Sequence, residues 1–175
     1  MTTQIKKQNS TVLLLTLTAI MTAMVYVFTA FVNIKLPITA NGGLVHLGNV
    51  PLFIGAILFG KKLGAISGGI GMALFDLLSG WTLWAPFTLI IVAAMGWVVG
   101  AVAYNRRKPL YYLLALIAAL VIKIIGYYIA EAIIFQNPIV PLSSIPGNIV
   151  QITVASVITL ALIHPLEKLT KFIKL

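Results

Sequence analysis

The chain contains no cysteine, which excludes disulfides, thiol nucleophiles and thiolate metal sites. Acidic residues are almost as scarce. Asp76, Glu131 and Glu167 are the only three in 175 residues, and His46 and His164 are the only histidines. So few carboxylates and imidazoles cannot furnish a metal cluster, so no metal and no cofactor are expected. Neither G-x-S-x-G nor H-E-x-x-H occurs, so no catalytic residue is assigned. Gly55 to Lys62 reads G-A-I-L-F-G-K-K, close to a phosphate-binding loop. Lys62 stands where such a loop needs a magnesium-binding Ser or Thr, and no strand precedes it. Charge is scarce too, at 9% of residues against 61% hydrophobic, well outside the range of soluble globular domains.

What remains is long apolar runs. About 20 apolar residues cross a bilayer core as a helix. The pattern predicts spans near Thr11–Asn33, Val45–Gly60, Leu63–Gly80, Trp84–Tyr104, Leu110–Phe135 and Ile145–Pro165. The second is short enough to need tilt or shielding. Residues 1–175 then form one integral-membrane domain of the all-α class, with no room for a soluble catalytic domain. The basic start and apolar run resemble a signal peptide. The run is long enough to span and no small-residue cleavage site follows, so a retained first helix is expected.

Ten of the twelve basic residues fall on one side of this scheme. Lys6 and Lys7 precede the first span, and Lys61 and Lys62 follow the second. Arg106, Arg107 and Lys108 follow the fourth; Lys168, Lys171 and Lys174 follow the sixth. Lys/Arg-rich short loops stay in the cytoplasm, which predicts six transmembrane helices with both termini cytoplasmic. The net charge of +9 therefore reports membrane topology and contact with anionic headgroups of the bilayer, and no nucleic-acid partner is expected.

Small residues recur every four positions in the third span, at Gly60, Gly64 and Gly68 and at Ala65, Gly69 and Ala73, and in the fourth at Gly96 and Gly100. Such rows let helix backbones approach closely. Ala19 and Ala23 make a similar step in the first span. Tyr104, Tyr111 and Tyr112 sit at span ends, where aromatic rings favour the interface, and Trp81 and Trp84 flank the outer mouth. The first outer connection, Ile34 to Asn49, is rich in Pro, Gly and Asn. It reads as a surface loop or as a lid over a site.

Ionisable groups inside a bilayer are costly and need a partner or a purpose. Lys123, Tyr127 and Glu131 lie at i, i+4 and i+8 on one face of the fifth span. Lys123 and Glu131 either belong to a structural ion network or share a bound polar group, since two turns separate them by about 12 Å. Asn148 and Gln151 share a face of the sixth span, Asp76 ends the third, and Trp84 opens the fourth. Asp76, Trp84, Tyr127, Glu131, Asn148 and Gln151 converge at one depth on the outer side, and the cytoplasmic half has no matching polar set apart from Lys123. With Asn41 and His46 of the first connection, they are the candidate substrate-binding set: Asn41, His46, Asp76, Trp84, Tyr127, Glu131, Asn148 and Gln151. Aromatic walls with a few fixed polar groups suit a small, flat, polar ring compound.

Five segments follow one another in register: His46-Leu47-Gly48-Asn49, Leu58-Phe59-Gly60-Lys61, Gly68-Gly69-Ile70-Gly71, Phe75-Asp76-Leu77-Leu78-Ser79-Gly80 and Trp84-Ala85-Pro86-Phe87-Thr88. Together they resemble the S components of energy-coupling factor (ECF) vitamin transporters, in the riboflavin-type sequence family that includes hydroxymethylpyrimidine and pyridoxine S components. The resemblance implies a substrate-binding membrane subunit of the bacterial plasma membrane, non-catalytic, with six helices. It implies a vitamin-like small molecule bound near the outer surface, under the loop after the first helix. It further implies a membrane coupling (T) subunit and two cytoplasmic ATPase subunits as partners, with Ala19 and Ala23 as the docking step. Many relatives carry a Lys shortly after A-P-F-T, where Ile90, Ile91, Val92 and Ala93 stand here. A ligand contact made by that Lys would be absent, so the vitamin is expected to differ from theirs. Pyridoxine or hydroxymethylpyrimidine is the favoured ligand, with riboflavin and pantothenate as alternatives. Two other readings stand beside this one: an autonomous small-solute carrier using Lys123 and Glu131, and a membrane enzyme on lipid or isoprenoid with Asp76 and Glu131 as acid and base.

Overall fold

The computed structural model describes residues 2–35 and 44–170. Asn41 lies outside the described residues. Six helices dominate: α1 (Thr2–Phe31), α2 (Asn49–Phe59), α3 (Lys61–Leu78), α4 (Ala85–Ala103), α5 (Pro109–Phe135) and α6 (Ile145–Leu169). A 3-10 turn, Val140–Ser144, leads into α6. Proline stands in the first turn of α4, α5 and α6. There its missing N–H costs nothing and its fixed φ suits the helix. Gln136, with φ of 50°, ends α5 in the left-handed conformation of helix caps.

The connection after α1 differs from a plain loop. Asn33–Lys35 (β1) and Leu44–His46 (β2) pair antiparallel, with Asn33 opposite His46. The second helix accordingly starts at Asn49, four residues later than the hydropathy suggests. At 11 residues α2 rises only about 16 Å, half a bilayer core. Nine of its residues are buried by the rest of the bundle, so protein rather than lipid surrounds it. Among the described residues four stretches are long and apolar enough to cross a membrane: Thr11–Phe31, Ala85–Ala103, Pro109–Phe135 and Val140–Leu169.

The core gathers Leu52, Phe53, Met72, Val92, Met95, Val99 and Ile152 at the centre of the bundle. Large apolar side chains also cover the outside, among them Leu15, Ile90, Ile125 and Val157, each more than half exposed. A bundle apolar both inside and outside is one whose solvent is lipid. The α3–α4 crossing depends on its glycines. A Cβ at Gly64 would stand 2.8 Å from the Gly96 carbonyl oxygen, so a side chain there would force the backbones apart. Gly60, with φ of 94°, is the only residue between α2 and α3. That conformation suits glycine and turns the chain in one step.

Candidate functional site

One end of the bundle holds a cavity of about 100 Å³, open on one side. Seven of the eight sequence candidates line it: His46, Asp76, Trp84, Tyr127, Glu131, Asn148 and Gln151. They come from β2 and from α3, α5 and α6, with Trp84 at the start of α4. Phe75, Trp81, Thr88, Lys123 and Ser144 also line it.

The walls are fixed in different ways. Trp84 is held by edge-to-face contacts with Trp81 at 5.4 Å and Phe135 at 6.1 Å between ring centroids. Thr88, one turn below Trp84 on α4, hydrogen-bonds the Tyr127 hydroxyl at 3.1 Å across to α5. The Thr88 hydroxyl also neighbours the Asp76 carboxyl on α3. The Lys123 ammonium stands 4.9 Å from the Tyr127 ring centroid, a cation–π distance. Lys123 and Glu131 are both about 2% exposed. Gln151 donates from Nε2 to the His46 carbonyl at 3.2 Å, tying α6 to β2.

His46 is shaped by its turn. The Gly48 N–H points to its Nδ1 at 3.3 Å, so the neutral ring carries its proton on Nε2. Burial of the ring, then the nearby Lys123 ammonium, hold His46 well below the usual imidazole value. The site therefore presents a neutral donor there at physiological pH.

Lys123 joins the outer set: one turn further in along α5 than Tyr127, it lines the same cavity. Thr88, Trp81, Phe75 and Ser144 were not among the sequence candidates. Thr88 falls at i+4 from Trp84 on one helical face, and that spacing was the available signal. Ala19 and Ala23 lie elsewhere, on an exposed face of α1. Among the described residues no three His, Cys, Asp or Glu side chains gather in a way that could hold a metal ion.

At the opposite end, the Tyr112 hydroxyl donates to Glu167, joining the start of α5 to the end of α6. Glu167 therefore has a structural partner far from the cavity, as does Arg106, whose guanidinium stacks on Tyr111 at 4.7 Å.

Apolar helices around an aromatic, polar recess define a multi-pass protein of the cell membrane with a small-molecule cavity. Its sequence matches the model of the family described as ECF-type riboflavin transporter, S component, over residues 9–168, and the chain belongs to that family. It is similar to the thiamine precursor transporter HmpT of Lactococcus lactis subsp. cremoris (strain MG1363), 32% identical over 163 residues that cover 91% of each chain. It is also similar to an uncharacterized protein in gap 3′region of Pyrococcus woesei, 30% identical over 118 residues, which cover 67% of this chain and 78% of that one. The chain is thus a transport protein of vitamin uptake, from a family of non-catalytic S components, and the lipid-enzyme reading falls away.

Proposed function

We propose that the chain captures a one-ring B-type vitamin or vitamin precursor, pyridoxine or hydroxymethylpyrimidine, in this cavity for uptake. The observation that carries the reading is the cavity itself. Seven candidates from five separate stretches meet there with an aromatic wall, the make-up of a small-molecule site. Size favours one ring. An engineered apolar cavity of about 150 Å³ holds benzene, so a space of about 100 Å³ with one open side accommodates a small ring more readily than tricyclic riboflavin. The HmpT relative, a thiamine precursor transporter by name, supports the same choice.

In this reading six helices span the membrane, residues 1–175 form one domain, both ends lie in the cytoplasm, and the cavity opens outward. The ligand is then handed to an ATP-driven module of a membrane coupling subunit and two ATPases. Exposed Ala19 and Ala23 form the docking step on α1, where one-methyl side chains leave a shallow groove for a partner helix.

Two measurements test this. The mass spectrum of small molecules released from purified, denatured protein should contain pyridoxine or the hydroxymethylpyrimidine. Uptake in cells should require co-expression of the coupling module. Uptake by the protein alone would favour the autonomous carrier instead.

A further inference from the structure

Asp76 carries more information about the ligand than the other lining residues. It ends α3 with its carboxyl in the cavity, and three facts fix what that carboxyl needs. First, an ionised carboxylate only accepts hydrogen bonds, and the Thr88 hydroxyl that neighbours it on α4 is engaged with the Tyr127 hydroxyl of α5. Second, Asp76 Oδ2 is buried and has no hydrogen-bond partner. A buried acceptor is normally satisfied. Third, neighbouring donors are turned elsewhere. The Gln151 amide donates to the His46 carbonyl, and the Lys123 ammonium lies against the Tyr127 ring. Ser144 Oγ, a hydroxyl in the same cavity, is likewise buried without a partner and can serve a ring nitrogen or a hydroxymethyl group.

Resting on the reading of this cavity as the vitamin site, we propose that Asp76 sets the ligand class by accepting an N–H from the edge of a nitrogen heteroaromatic ring. An amino-substituted pyrimidine is then preferred over the same ring bearing a carbonyl at that position. The amino group offers its hydrogen to Oδ2 from the exocyclic position, while the oxo ring presents an acceptor there and carries its N–H one position along the ring. Phe75 and Trp84 supply the flat surfaces. Site chemistry built on hydrogen bonding discriminates strongly, because the wrong partner leaves a buried group unpaired.

The test uses the full chain in detergent and three probes: 4-amino-5-hydroxymethyl-2-methylpyrimidine, its 4-oxo counterpart, and pyridoxine. Binding is read by calorimetry and by quenching of Trp81 and Trp84 fluorescence. The native protein should bind the amino compound at least about tenfold more tightly than the oxo compound. Asp76→Asn, whose amide can donate to a carbonyl, should bring that ratio to parity or invert it. Thr88→Val keeps the carboxyl but removes the neighbouring hydroxyl, and should leave the amino compound preferred. The ratio is the readout, because a purely structural role would weaken both compounds alike. Should Asp76→Asn not fold, the native and Thr88→Val measurements still decide. Equal binding of the amino and oxo compounds by native protein overturns the role of Asp76 and leaves the cavity as a vitamin site. Absence of binding by all three probes to folded native protein overturns the cavity reading and this inference with it.

Discussion

Replacing Lys123 by Met tests whether the cavity is electrostatically balanced. Met keeps the length and apolar stem of Lys and removes only the charge. The ammonium is almost wholly buried, lies against the Tyr127 ring, and interacts with the Asp76 carboxylate. Without it, Asp76 and Glu131 share the cavity with no cation among its lining residues. Asp76 is only half-buried and the ammonium acts on it through space, so the cost lies below the about 3–5 kcal/mol of breaking a fully buried pair. The cavity is open on one side, so water offsets part of this, and about 2–4 kcal/mol is expected. For a chain of this size each kcal/mol moves the melting temperature by roughly 2–4 °C, so Lys123→Met should melt roughly 5–15 °C lower in detergent. Asp76→Asn alone should also destabilise, by stranding the ammonium. The double variant Lys123→Met/Asp76→Asn removes both charges and should recover about 1–3 kcal/mol relative to the sum of the singles. A Lys123→Met protein melting within about 2 °C of the native one, or strictly additive losses in the double variant, would refute the argument.

Other outcomes follow from the same geometry. Glu131→Gln and Asn148→Ala should each lower affinity for the bound vitamin roughly tenfold or more with little change in melting; unchanged affinity by calorimetry in both would move the site. Ala19→Trp and Ala23→Trp, on the exposed face of α1, should leave binding intact and change stability by no more than about 0.5 kcal/mol, yet abolish co-purification with the coupling module; normal assembly and transport would remove the docking assignment. Because the folded pKa of His46 is depressed, its neutral ring costs nothing above the unfolded value of about 6.5, and stability falls as pH drops below it. Melting profiles between about pH 5 and 8 should therefore converge for native protein and His46→Gln on the acid side, and parallel profiles would contradict this. Cysteines introduced singly at positions 61, 106, 46 and 136 should react with an impermeant reagent in intact cells only at 46 and 136; labelling at 61 but not at 46 would reverse the topology.

The helices were legible because long apolar runs separated by Pro, Gly and basic pairs leave little choice of register. The glycine rows of α3 and α4 were legible for a similar reason: a four-residue repeat of small side chains has little use except close packing. The ribbon was not legible. Asn33–Lys35 and Leu44–His46 are three residues each, too short for an alternating pattern, and their pairing is a tertiary fact. The place of Lys123 is not legible from its position along the helix axis alone. Side chains on a helix lean toward its N-terminus, so the Tyr127 ring leans back onto the turn that carries Lys123 and brings the two together. Thr88 was quoted within a motif, yet its role depends on Tyr127, 39 residues away.

These contacts give the cavity two unlike sides. Asp76, Trp84 and Thr88 stand on α3 and α4, which touch backbone to backbone at Gly64 and Gly96. Close-packed interiors of that kind transmit strain and do not yield by small amounts. The Tyr127 to Thr88 bond extends this rigid unit to α5. On the other side, β2 carries His46 and meets α6 through the Gln151 amide at 3.2 Å, near the long end of the hydrogen-bond range. Such a bond contributes about 0.5–1.5 kcal/mol net, far less than separating α3 from α4. The proposed recognition by Asp76 therefore belongs to the stiff side of the cavity.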